Sequence, residues 1–133
     1  MKLGYTILYV HDVPKTLAFY QAAFGFQPRF LHEGGDWGEL ETGETCLSFC
    51  SYSLLKQIGK TTQTPDPKTP CFEIALVTEN VATAMQHALD AGAVMIQEPE
   101  QMPWGQTVAY VADINGFVVE LCTPMTPSSP SIT

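Results

Sequence analysis

The apolar positions along the chain fall into short runs whose period switches from two to a helical repeat and back. Residues 3 to 10, Leu-Gly-Tyr-Thr-Ile-Leu-Tyr-Val, alternate as a strand. Tyr5, Ile7 and Tyr9 share one face, and Thr6, Leu8 and Val10 share the other. Asp12 then suits a helix N-cap and Pro14 its first turn. Val13, Leu17, Tyr20 and Phe24 follow at helical spacing, and Gly25 ends the helix. Phe26 to Leu31 reads as a short strand, His32 to Asp36 as a turn, and Trp37 to Glu41 as another strand. Thr42-Gly43-Glu44 turns again. Thr45 to Ser51 makes a fourth strand, with Leu47 and Phe49 facing one way and Cys46, Ser48 and Cys50 the other.

Leu54 to Ile58 reads as a single helical turn, and residues 59 to 69 as a loop rich in Thr, Lys and Pro. The order then restarts. Cys71 to Thr78 is a strand in which Phe72, Ile74 and Leu76 alternate with Cys71, Glu73, Ala75 and Val77. Asn80 caps a helix whose stripe is Val81, Ala84, Met85, Ala88 and Leu89, and Gly92 stops it. Ala93 to Ile96 is a short strand and Gln97 to Pro103 a loop. The stretch from Trp104 to Leu121 reads as two strands around a tight turn built from Asp113, Asn115 and Gly116.

One unit thus occurs twice at an offset of about 68 residues: strand, helix, then three strands. The reading is an α+β fold of two βαβββ modules in one domain over residues 1–123. Module one covers 1–55, a linker 56–69 and module two 70–123; residues 124–133 form a Pro- and Ser-rich tail expected to be flexible. Neither module buries enough surface to be comfortable alone. Each sheet is expected to carry its helix on one face and to leave the other to line a shared cavity.

Composition narrows the function. The net charge of −8 with only six Lys plus Arg leaves no basic stripe for a nucleic acid. No apolar run approaches the ~20 residues of a membrane span. The start Met1-Lys2-Leu3-Gly4 runs into a strand without a leader's apolar core, so a cytoplasmic location is expected. The four cysteines, Cys46, Cys50, Cys71 and Cys122, form no CxxC pair and sit in strand-like runs, which predicts buried free thiols. His11, His32 and His87 fall at a helix start, a turn and a polar helix face, where each reads as a surface histidine.

Two sets of residues resemble the ends of vicinal oxygen chelate proteins, the superfamily of glyoxalases, bleomycin-resistance proteins and extradiol dioxygenases. Leu8-Tyr9-Val10-His11-Asp12-Val13 with Phe19-Tyr20 and Phe24-Gly25-Phe26 resembles their beginning. Trp104-Gly105-Gln106, Asp113-Ile114-Asn115-Gly116 and Val119-Glu120-Leu121 resemble their end. The resemblance implies paired βαβββ modules, a cupped mixed sheet and usually a homodimer. Metal-dependent members hold a divalent ion with side chains from the first and last strand of each module. Those positions carry over to Tyr5, Ser48, Glu73 and Glu120, with Leu47 the alternative to Ser48 if the register slips by one.

Only the two glutamates are strong donors for a transition metal. No cofactor is therefore favoured, and a divalent metal held by Glu73 and Glu120 stays open. Three roles remain for the glutamate pair: solvated edge positions, an anchor for a cationic ligand, or a general acid/base couple whose pKa values push each other up. Tyr5, Tyr9, Ser48, Glu73, Trp104 and Glu120 are the candidate lining of a ligand cavity, with Trp37 adding aromatic surface. The expected partner is a small organic molecule, cationic or aromatic, as in resistance-type members. The alternative is a metal-dependent lyase, isomerase or dioxygenase using Glu73 and Glu120.

Overall fold

The computed structural model describes residues 1–125 and divides into two compact units, the first ending at Thr64 and the second beginning at Pro65. The first unit holds β1 (Tyr5–Val10), α1 (Val13–Phe24), β2 (Pro28–Leu31), β3 (Trp37–Leu40), β4 (Cys46–Ser51) and α2 (Tyr52–Gln57). The second holds β5 (Glu73–Val77), α3 (Val81–Asp90), β6 (Val94–Gln101), β7 (Thr107–Ala112) and β8 (Val118–Cys122). Each forms a four-stranded mixed sheet, ordered β1-β4-β3-β2 and β5-β8-β7-β6. In both, the first strand runs parallel to the last and the remaining pairs are antiparallel.

The duplication extends to the caps. The Asp12 carboxylate accepts from the Lys15 backbone N–H, and the Asn80 amide oxygen accepts from that of Thr83. Both cap residues have extended backbone, at φ −133° and −131°. Gly25 ends α1 in the left-handed region, at φ 79°. α1 packs on β2, β3 and β4, burying Val13, Thr16, Leu17, Phe19, Tyr20 and Ala23; α3 packs on β6, β7 and β8 through Val81, Met85 and Ala88. β3 comes so close to α1 that a Cβ on Gly38 would lie 2.8 Å from both Leu17 Cδ1 and Val13 Cγ1.

Several boundaries differ from expectation. β6 continues to Gln101 where a loop was expected after Ile96, because an edge strand exposed along most of its length tolerates Pro99 and its glutamates, with bulges after Met95 and Gln97. β2 begins only at Pro28. Cys71 is exposed and precedes β5, so it is not a buried strand thiol; Cys46, Cys50 and Cys122 are buried and free. Phe72, expected against the helix, stands 45% exposed with its ring edge-on to Phe117 at 5.9 Å, since β5 begins only at Glu73, two residues later than expected. The expected flexible tail lies, from residue 126, outside the described residues.

Candidate functional site

Alternation sends the candidate side chains to the sheet faces turned away from the helices. In the second unit Ala109, Val111, Val119 and Leu121 are buried on the helix side. Tyr110, Glu120 and Cys122 alternate with them on the other face, which Glu73, Ala75 and Val77 share from β5. The register sets Tyr110 directly opposite Glu120, and the Tyr110 hydroxyl donates to Glu120 Oε1 at 2.8 Å.

Three ionisable groups surround this point. Glu73 is exposed along one side, yet partial desolvation by its apolar neighbours pushes its carboxyl up, and the charge and hydrogen bond of Glu120 add to the effect. Burial, followed by the bond to Glu120, pushes the Tyr110 hydroxyl up to about 12. Burial raises the Cys122 thiol too, which keeps it inert. Tyr110 is therefore a fixed donor at any physiological pH, and Glu73 is the group that holds a proton more readily than an ordinary carboxylate.

In the first unit the corresponding face carries Tyr5, Ile7 and Tyr9 of β1, beside Cys46, Ser48 and Cys50 of β4. Ser48 is fully buried, and its Oγ lies 3.2 Å from Cys46 Sγ. Tyr5 is 51% exposed and meets Trp37 edge-on at 6.1 Å. The same face also carries a carboxylate that the sequence reading passed over. Glu39 on β3 lies opposite Ser48. Its Oε1 accepts from Arg29 Nε and Nη2 at 3.1 and 3.0 Å, and its Oε2 from the Trp37 indole N–H at 2.9 Å. The Trp37 bond, with Arg29, holds the Glu39 carboxyl below the usual range despite its partial burial.

Trp104, half-buried in the loop before β7, donates its indole N–H to Gln106 Oε1 at 2.7 Å. The structure thus brings Glu73 and Glu120 onto one face and adds Tyr110 to them. Tyr5, Tyr9 and Ser48 share the equivalent face of the other unit, and Trp104 stands at the head of β7. Arg29, Glu39, Tyr110 and Gln106 were missed. Counting back from the Asp113–Gly116 turn would have set Tyr110 against Glu120, and the pairing of Trp-Gly-Glu with Trp-Gly-Gln marked Glu39 and Gln106.

The four positions that hold metal in metal-dependent relatives do not make a matching donor set here. Tyr5 and Ser48 are weak donors, and one oxygen of Glu120 is taken by Tyr110. His11, His32 and His87 are all exposed, and among the described residues no three His, Cys, Asp or Glu side chains converge.

A family model described as a glyoxalase-like domain matches residues 3–126. No curated protein matches. Among solved structures, a glyoxalase/bleomycin resistance protein/dioxygenase family enzyme from Burkholderia phytofirmans PsJN is 22% identical, with 92% of this chain and 98% of that one covered at a TM-score of 0.75. A glyoxalase-related enzyme from Fulvimarina pelagi is 19% identical, covers 98% and 96%, and reaches 0.80. A glyoxalase/bleomycin resistance protein/dioxygenase from Nocardioides is 16% identical, covers 100% and 89%, and reaches 0.77. At these identities the likeness speaks for the fold.

Proposed function

We propose, for a chain that belongs to the glyoxalase-like domain family and with it to the vicinal oxygen chelate superfamily, that it binds a small, planar, cationic organic molecule without a catalytic divalent metal, in the manner of bleomycin-resistance-type members. One observation carries this reading. Glu73 and Glu120 stand on an otherwise largely apolar face with no basic partner among the described residues, whereas Glu39 is neutralised by Arg29. Carboxylates in partly apolar surroundings cost free energy that a bound cation relieves. Tyr110 fixes Glu120 in place, so its charge is preorganised and little side-chain freedom is lost on binding.

The test is a fluorescence titration with acridine orange, a planar cation. Glu120→Gln is expected to weaken binding on the order of tenfold, and Glu73→Gln by a similar amount. Thermal melting of chelator-treated protein with Ni²⁺, Zn²⁺, Mn²⁺ or Fe²⁺ tests the alternative. A stabilisation by one metal that disappears in Glu120→Gln would replace the proposal with a metal-dependent lyase, isomerase or dioxygenase using Glu73 and Glu120.

A further inference from the structure

Both units turn into their last strand through a glycine, and in the second unit a segment of chain lies over that turn. Gly43 and Gly116 take nearly the same left-handed conformation, at φ 98° and 99°. Among the described residues, a Cβ on Gly43 would meet nothing within 4 Å. A Cβ on Gly116 would lie 3.0 Å from the Pro65 carbonyl oxygen and 3.6 Å from both Pro65 Cγ and Pro67 Cδ. The segment from Pro65 to Phe72 is thus a strap across the β7–β8 turn. Three prolines in six residues, Pro65, Pro67 and Pro70, limit the backbone freedom it gives up on docking. Asp66 closes a turn within it: Oδ1 accepts from the Lys68 N–H at 2.9 Å and Oδ2 from the Thr69 hydroxyl at 3.2 Å. At the far end the Phe72 ring meets Phe117 edge-on at 5.9 Å, and the next pair, Glu73 and Val118, opens the parallel ladder of β5 with β8.

We infer that Pro65, Phe72 and Gly116 are positioning residues: through them the strap fixes Glu73 beside Glu120 and so sets the spacing of the two carboxylates that a cation would meet. The inference rests on the ligand-binding reading above. β5 is an edge strand, paired in its sheet with β8, and Glu73 is its first residue. The first residue of an edge strand frays unless the chain before it is tied down. β1, the equivalent edge strand of the first unit, is tied by hydrogen bonds. The Cys46 N–H donates to the Gly4 carbonyl at 2.8 Å, and the Thr45 hydroxyl to that of Leu3 at 3.1 Å. β5 has the strap in that place. The turn beneath it is itself fixed, because Asp113 Oδ1 accepts from the Phe117 N–H at 2.9 Å and the Phe117 carbonyl from the Asp113 N–H at 2.8 Å. Val118 and Glu120 follow this turn on β8, so strap and turn hold both carboxylates to one frame.

The experiment compares Gly116→Ala with Gly43→Ala, which carries the same backbone strain with no strap to displace. Trypsin cleavage after Lys68, referred to cleavage after Lys60 in the first unit, reports release of the strap. Acridine orange titration reports the site. Gly116→Ala is expected to speed cleavage after Lys68 and to weaken dye binding, each on the order of tenfold, with Gly43→Ala at parental values for both. The lost affinity should run through Glu73. Added to Glu73→Gln, Gly116→Ala should change dye binding little; added to Glu120→Gln, it should still weaken it. Parental cleavage after Lys68 in Gly116→Ala would overturn the inference, as would an equal loss of affinity with and without Glu73. Should Gly116→Ala fail to fold, Phe72→Leu decides it through the same cycle with Glu73→Gln: no loss, or an equal loss in both backgrounds, refutes the positioning role. A parent that binds no dye refutes the ligand reading, and amide hydrogen exchange then judges the strap. Exchange over residues 73–75 should be faster in Gly116→Ala than in the parent, and an unchanged rate refutes it.

Discussion

Glu73 and Glu39 show how the same side chain is tuned in opposite directions by its surroundings. Glu39 gains an indole N–H and a guanidinium, which favour its charged form. Glu73 meets partial desolvation and the Glu120 carboxylate, which disfavour it; Tyr110 of β7 and Cys122 of β8 stand near the same point. Because the folded pKa of Glu73 is raised above its unfolded value, its contribution is fully present below the unfolded pKa and is lost as pH rises through the folded pKa. Glu73→Gln is therefore expected to gain stability relative to the parent as pH rises from about 4 to about 7, measured by urea midpoints across that range. A difference that stays flat with pH would refute the assignment. The residue scale is also where the sequence was least legible. The parity that sends Glu73 and Glu120 to one face is a property of each strand and could be read. The bond from Tyr110 to Glu120 depends on register between strands, and the bonds around Glu39 depend on a bulge at Arg29 in β2.

At the scale of elements, the caps, glycine stops and turn chemistry were legible because each is a local, steric signal. Asp12, Asn80 and Gly25 behave as their residue types require. The extent of β6 was not legible, because a polar, Pro-containing edge strand has the composition of a loop. The contact of β3 with α1 was hidden as well, since Gly38 looks like turn material until the helix lies against it. Gly38→Ala is expected to cost about 1–3 kcal/mol by forcing Leu17 and Val13 aside, measured by urea denaturation. A cost near zero would show that the two side chains can rotate away freely.

At the scale of the molecule, the repeated βαβββ order and the four-stranded sheets were legible from period alone, and the family follows from them with the motifs at both ends. What binds, and in what assembly, was not, since one fold carries many activities. On the strands of the two units Ile7, Val77 and Val94 are each at least 45% exposed, apolar side chains that a second copy of the chain could cover. A homodimer is expected, and sedimentation velocity should give about twice the 14.6 kDa chain mass. A single species at the chain mass would refute it. The turn that closes β7 and β8 sets a different property, the chemical lifetime of the chain. Asn115 followed by Gly116 is the dipeptide most prone to lose its side-chain amide, through attack by the following backbone nitrogen. Here that nitrogen donates to the Asp113 carbonyl, and Asp113 Oδ1 accepts from the Asn115 and Phe117 N–H groups. These bonds hold the Gly116 nitrogen within the turn, so the folded chain is expected to lose this amide more slowly than the unfolded chain, as peptide masses after incubation with and without urea would show. On that expectation, deamidation at Asn115 would serve as a chemical clock for the time each molecule has spent unfolded.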